Sequence, residues 1–223
     1  MKKIVSLVLV VFMVLGCISL IACGGGEGDG TAPPSGEEEE EEENGTPSNG
    51  ESLDEILGLG AGIDSVKYDM EMTAPGVPMV TMHCWVKQNK MRTEMTEQGQ
   101  TIIMLIDYDA GTLFMYMPDE NLAMQMPLTQ ATESAIEEAQ AVADYDYTVI
   151  GTETLDGKVC LVVEYTVEQA TAKMWIWKEH GFPIRIETTT AEGKMIVEFK
   201  NIEFADIPDS MFELPPGVQI MEF

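Results

Sequence analysis

The chain has only two histidines in 223 residues, and neither sits where a nucleophile could use it. His83 is next to Cys84 in a strand-like run. Neighbours on a strand point to opposite faces, so the two cannot form a direct nucleophile–base pair. His180 lies in a Gly-Phe-Pro turn. No Gly-x-Ser-x-Gly, Walker or Rossmann pattern is present. These gaps make a catalyst hard to build, and the chain is expected not to be an enzyme and to carry no cofactor and no metal. Positive charge is also scarce, with 12 Lys and Arg against 39 Asp and Glu and a net charge of −27. Such a balance argues against nucleic acid as a partner and against electrostatic docking on anionic lipid. Of four cysteines, Cys17 and Cys23 lie near the start. Cys84 and Cys160 sit in apolar, strand-like runs. A disulfide between them is permitted in an exported domain, but sequence alone does not bring them together. Two buried free thiols are the simpler expectation. No internal repeat appears.

What is there begins with a processing signal. Lys2 and Lys3 form a positive start, and Ile4 to Leu15 is an uncharged apolar run. Leu20-Ile21-Ala22-Cys23 resembles the bacterial lipobox, whose cysteine becomes the lipidated N-terminus. Val14-Leu15-Gly16-Cys17 is a weaker match that would leave an apolar stub. An uncleaved transmembrane anchor is the alternative, since the run could nearly span a bilayer. Residues 1–22 are therefore read as a lipoprotein signal peptide and Cys23 as the lipid anchor. Gly24 follows it, where enteric-type inner-membrane retention uses aspartate. Residues 23–51 carry Gly, Pro, Ser, Thr and the acidic run Glu37 to Glu43. With no apolar periodicity they are expected to be a disordered tether, reaching on the order of 30 Å if flexible.

Residues 52–223 read as one domain. Ser52-Leu53-Asp54-Glu55 fits a capping box opening a short helix, which Gly58, Gly60 and Gly62 should end. Alternation at period 2 then dominates. Val66, Tyr68, Met70 and Met72 face one side. Met82, Cys84 and Val86 oppose His83 and Trp85. Met91, Thr93 and Met95 oppose Arg92 and Glu94. Ile102 to Ile106 is apolar on both faces, as in a strand covered twice. Leu113, Met115 and Met117 oppose Phe114 and Tyr116, and Leu122, Met124 and Met126 follow. Tight turns between these runs imply an antiparallel meander. From Thr129 to Ala143 the spacing becomes helical: Ala131, Ala135, Ile136, Ala139 and Val142 share a face, and Glu133, Glu137 and Glu138 point away. Strands resume from Tyr147, with a hairpin at Asp156-Gly157. Ile184 and Ile186 are placed together opposite Arg185 and Glu187. Pro208, Pro215 and Pro216 exclude a central strand in the tail. The expected fold is mainly β (α+β): a strongly curved antiparallel sheet of about eleven strands, an incomplete barrel, with the N-terminal and mid-chain helices covering its concave face.

This order resembles a known superfamily. The segments that carry the likeness are Trp85-Val86-Lys87, Asp109-Ala110-Gly111-Thr112-Leu113-Phe114-Met115-Tyr116-Met117-Pro118 and the mid-chain helix. Trp177 with Gly181-Phe182-Pro183-Ile184-Arg185-Ile186-Glu187, and Phe212-Glu213-Leu214-Pro215-Pro216-Gly217-Val218, complete it. Together they are similar to the LolA/LolB lipoprotein carriers and the LppX/LprG-type lipid-binding lipoproteins. The resemblance implies a half-barrel whose hydrophobic cavity, lidded by helices, holds acyl chains. One feature departs: the carrier's lid-locking arginine follows its Trp-Val-Lys segment, where this chain has Gln88-Asn89-Lys90 and only later Arg92.

Methionine is the unusual component, with 17 in the chain. β-Branched and aromatic residues fit a pleated surface better, whereas Met is flexible and polarizable. Two explanations compete: a filled core, or an adaptable lining for a hydrophobic ligand. On the second, the lining is Met70, Met72, Met82, Val86, Met91, Met95, Met104, Met115, Met117, Met124, Met126, Ile136, Met174 and Met195. The expected function is a lipid-anchored extracytoplasmic lipoprotein that binds a lipid or acyl chain for transport or sorting in the envelope. It would touch the membrane through its anchor, on the outer face of the cytoplasmic membrane or in the outer membrane, with another envelope lipoprotein as a candidate partner. The rival is a protein-interaction or sensor module in which an outward face with Trp85, Trp175 or Trp177 meets a protein. Cu(I) at Met82 and Cys84, and calcium at Asp107 and Asp109 or Asp144 and Asp146, are weaker alternatives.

Overall fold

A computed structural model describes residues 52–128, 134–167, 170–191 and 193–222. The signal, Cys23, the acidic tether and the Thr129–Glu133 part of the expected mid-chain helix lie outside the described residues. Alternation produces what it implied: one curved sheet, with strands β1 (Ser65–Ala74), β2 (Val77–Lys87), β3 (Lys90–Glu97), β4 (Gln100–Asp107), β5 (Thr112–Met117), β6 (Leu122–Pro127), β7 (Tyr147–Leu155), β8 (Lys158–Val167), β9 (Ala170–Trp177), β10 (Phe182–Thr190), β11 (Gly193–Glu203) and β12 (Gln219–Glu222). Their order across the sheet is 12-6-5-4-3-2-1-11-10-9-8-7. Every pair is antiparallel except β12, which runs parallel to β6. β7 and β12 are separate edges, so the barrel is incomplete. Hairpin turns set the register. At β7–β8, Asp156 (φ 50°) and Gly157 (φ 76°) supply the two left-handed residues that a tight type I′ turn needs.

Two helices lie on the concave face. α1 (Leu53–Ala61) starts at a complete capping box: Glu55 N–H donates to the Ser52 hydroxyl, and Ser52 N–H donates to the Glu55 carboxylate. The same device, with Ser134 and Glu137, starts α2 (Ala135–Ala141). Each cap is worth about 1 kcal/mol. α1 buries Leu53, Ile56, Leu57 and Gly60. α2 buries Ala135 and Ala139, small residues that let it lie close against α1 and β10. Gln140 Nε2 donates to the Leu57 carbonyl at 2.7 Å, and Ala135 N–H donates to the Tyr68 hydroxyl at 3.5 Å. The two helices are thus tied to each other and to β1.

The core splits by face. The concave cluster joins Val66, Tyr68, Met70, Met72, Met82, Cys84, Met91, Leu161, Val163, Met174, Ile176, Phe182 and Phe199 beneath the helices. Tyr68, Phe182 and Phe199 meet edge to face at 5.3 to 6.0 Å between ring centres. On the convex face, Ile103, Leu105, Tyr116 and Ala123 pack under Leu214 and Val218 of the C-terminal segment. Lys87 Nζ donates to the Ile207 carbonyl, and Arg92 Nη1 to that of Met211, fixing the path of this strap. The doubly apolar β4 is therefore covered on both sides. A second convex cluster holds Cys160, Val162, Trp175 and Ile184.

Several expectations need correction. The sheet has twelve strands, because the tail ends in an edge strand that sits beyond its prolines. Gly58 and Gly60 lie inside α1, and Gly62 alone caps it. The described mid-chain helix ends at Ala141, and a 3₁₀ turn over Val142–Asp144 follows. Glu138 is half-buried rather than pointing away, set against Tyr165. An irregularity between Pro183 and Arg185 places Ile184 in the convex cluster while Ile186 stays in the concave one.

Candidate ligand-binding face

The concave face is almost wholly apolar. Among the described residues, the buried polar ones are Thr93 and Ser134. Charged pairs such as Arg92–Glu94, Arg185–Glu187, Lys200–Glu71 and Lys67–Glu203 stand on the alternate strand positions, away from it. The candidate lining divides into two parts. Met70, Met72, Met82, Val86, Met91, Met95, Met104 and Met174 are buried, and Ile136 and Met195 pack against them half-buried. This half of the face is filled by core and helices. Met115, Met117, Met124 and Met126, on the β5–β6 hairpin, are only half-buried. There the face continues past the helices as a surface.

The register makes this a gradient. One row crosses the sheet through the direct partners Tyr68, Cys84, Thr93, Met104, Met115, Met124 and Met221. Its first four members are 1% to 5% exposed, and Met221 is 43% exposed. Met221 was not among the residues singled out from sequence. The apolar pair Ile220-Met221 between Gln219 and Glu222 shows no alternation to mark a strand, and prolines precede it.

Cavities lined by described residues lie at the margins of the face, and of the buried methionines Met95 alone lines one of those described below. One, of about 450 Å³, lies between the end of α1 and the β9–β10 turn, with Ile63, His180 and Phe204 among its walls. A second, of about 120 Å³, lies by Val77 and Met95. A third, of about 230 Å³, is on the convex face beside Asp69, His83 and Asn201. In it, His83 Nδ1 lies 2.6 Å from Asp69 Oδ1, and Asn201 Nδ2 donates to Asp69 Oδ2 at 2.6 Å. Partial burial works to raise the Asp69 carboxyl. The Asn201 amide and then His83 outweigh it and hold the group below the ordinary aspartate range.

The remaining candidates are accounted for by structure. Cys84 belongs to the concave cluster and Cys160 to a convex one, so the two free thiols are on opposite sides of the sheet. Burial pushes Cys84 up to about 12 and Cys160 up to about 11. Asp107 accepts from Ala110 N–H and closes its own turn, and Asp109 accepts from the Asn89 amide of the β2–β3 turn, joining the two turns. Trp175 is 7% exposed, lies beneath the Arg185 guanidinium and donates its indole N–H to Glu153. It is not available as an outward contact. Among the described residues, no group of three His, Cys, Asp or Glu is placed to hold a metal, and no helix is long and apolar enough to cross a membrane.

A family model described as "Domain of unknown function (DUF4412)" matches residues 67–180, just over half the chain. The chain belongs to the DUF4412 family. The match runs from β1 to the β9–β10 turn, so it includes the methionine hairpin. Among solved structures, this DUF4412 chain is similar to an uncharacterized conserved protein from Thermus thermophilus. Identity is 12%, coverage is 78% of this chain and 100% of that one, and the TM-score is 0.59. It is also similar to the lipoprotein LppX from Mycobacterium tuberculosis, at 12% identity, covering 69% and 93%, with TM-score 0.44. A third is MucB of the Pseudomonas aeruginosa MucA/MucB complex, at 12% identity, covering 76% and 62%, with TM-score 0.49. At these identities the likeness is one of fold. The DUF4412 chain has the curved, incomplete barrel that its strand order implied. No curated protein sequence matches it.

Proposed function

We propose that this protein is a lipid-anchored extracytoplasmic binding protein that seats the acyl chain of a lipid or lipoprotein on the open end of its concave face, for transport or sorting. The observation that carries this is the half-exposed hairpin of Met115, Met117, Met124 and Met126, which continues a buried, uncharged apolar face. A hydrocarbon chain lying there gains about 0.8 kcal/mol per buried CH₂, and flexible thioether side chains can mould to it. Anchoring through Cys23 rests on the lipobox-like sequence. A binding role rather than catalysis fits the placement of His83 and Cys84 on opposite faces. Titration of the delipidated protein with a fluorescent fatty-acyl probe tests the proposal, together with native mass spectrometry for a co-purified lipid. Saturable binding that weakens on Met124→Arg is expected; no binding and no lipid would refute it. Cys23→Ser should release the protein from membranes.

A second use of the same sheet is favoured by one feature. Edge strand β7 and its neighbour β8 expose Tyr147, Ile150 and Val159 at 39%, 47% and 48%, where an extended peptide could add a strand. Crosslinking from Thr152 to a partner, unaffected by Met124→Arg, would support that use.

A further inference from the structure

The methionine row offers a chemistry that hydrocarbon burial does not use. Met104 is opposite Met115, Met115 is opposite Met124, and Met124 is opposite Met221. Four thioethers therefore stand side by side on one face of four neighbouring strands. Directly opposed Cβ atoms in antiparallel strands are about 4.5–5.5 Å apart. Three rotatable bonds let each methionine swing its sulfur toward its neighbour's. Met104 is buried, Met115 and Met124 are half-buried, and Met221 is 43% exposed, so the row opens from a closed floor to solvent.

The other positions on this face of β4, β5, β6 and β12 are Gln100, Ile102, Ile106, Leu113, Leu122 and Gln219, with Met117 and Met126 flanking the row. None is a carboxylate or an imidazole. Hard cations, Zn(II) and Cu(II) find no oxygen or nitrogen ligand set there, whereas thioethers select Cu(I). The chain's net charge of −27 raises the local concentration of any cation. The geometry points to a Cu(I) site formed by the thioethers of Met115, Met124 and Met221, with Met104 as its floor. Sequence spacing hides this site, because Met221 reaches the row through a parallel strand almost a hundred residues away. Leu in place of Met keeps the apolar volume and removes the sulfur, so a Leu variant tests the thioethers themselves.

The test is anaerobic competition with bicinchoninate, a chromophoric Cu(I) chelator, using the full chain. The wild type should withdraw one Cu(I) per chain from the chelator, and Zn(II) should not displace it. The double variant Met115→Leu/Met124→Leu should lose at least tenfold in Cu(I) affinity while its circular dichroism and unfolding midpoint stay those of the wild type. Met79→Leu, which changes a 61% exposed methionine outside the row, should leave copper binding unchanged. Ag(I) added to wild-type protein labelled at methionine methyls should shift the resonances of the row and not those of the buried core, separating the row from thiol ligands. Copper left with the chelator, equal losses in the Met79 and the double variants, or Ag(I) shifts outside the row would each overturn the assignment.

Discussion

Gly60 in α1 and Gly181 in the β9–β10 turn meet backbone to backbone, with no room for a side chain on either. A Cβ on Gly60 would collide with the Gly181 carbonyl, and one on Gly181 with the Ile56 carbonyl and the Gly60 nitrogen. Gly181 also has φ +64°, where a Cβ costs about 1–2 kcal/mol. This contact pins the end of the helical cover to the sheet. Gly181→Ala should destabilise the protein by about 2 kcal/mol or more, adding the clash to the backbone cost. Gly58→Ala, with nothing near its Cβ, should stabilise it by about 0.5–1 kcal/mol. Thermal or urea unfolding measures both, and equal effects would refute the pinning.

The two halves of the methionine face should answer differently to substitution. Met174 is fully buried, so Met174→Ala should cost about 2–5 kcal/mol in stability. Met124→Arg lies at the half-exposed hairpin, where the long side chain can reach solvent. It should change stability far less while weakening acyl-probe binding. Unfolding curves and probe titrations on the same samples separate the two.

Both domain thiols should be inert in the folded state. Burial holds Cys84 up at about 12 and Cys160 at about 11, so almost no thiolate forms at pH 8. Iodoacetamide should label neither until denaturant is added, and oxidants should not join them, because they occupy opposite sides of the sheet. Labelling of the native protein, read by mass spectrometry, checks this.

Asp69 supplies an acid-sensitive contribution. Its carboxyl titrates below the ordinary range, so its stabilisation is present above the unfolded value of about 3.9 and is lost as pH falls through the depressed folded value. Asp69→Asn should therefore destabilise the protein at pH 6, and the difference should shrink toward zero as pH falls below the folded value. A gap that widens in acid would contradict the Asn201–Asp69–His83 arrangement.

The strap across the convex face should be needed for the sheet beneath it. Leu214→Asp would set a charge against Ile103, Leu105 and Tyr116. Amide exchange in β4 to β6 should speed up more than in β8 to β10.

Much of this fold was legible because strand periodicity is a strong signal when one face is apolar. The concave and convex faces of β1 to β6 follow directly from the alternation of Met, Val and Tyr with charged residues. The apolar run Ile102 to Ile106 showed that something covers β4 twice, but not that Leu214 and Val218 do. Gly60 looked like a helix breaker because local propensity cannot reveal a backbone contact more than a hundred residues away. Ile184 left its expected face at an irregularity that no turn residue announces. The split between packed and open methionines was hidden for a related reason: it depends on where α1 and α2 come to rest, and their tertiary contacts, not the strand sequences, decide it.

The sheet ends in two edges that do not join. A closed barrel fixes its girth through a ring of hydrogen bonds, and widening it means breaking a ladder. Here, among the described residues, no ladder ties β7 to β12, so the girth is governed by strand twist and by the helices on the concave face. The gap can then spread elastically, with every hydrogen-bonded ladder left intact.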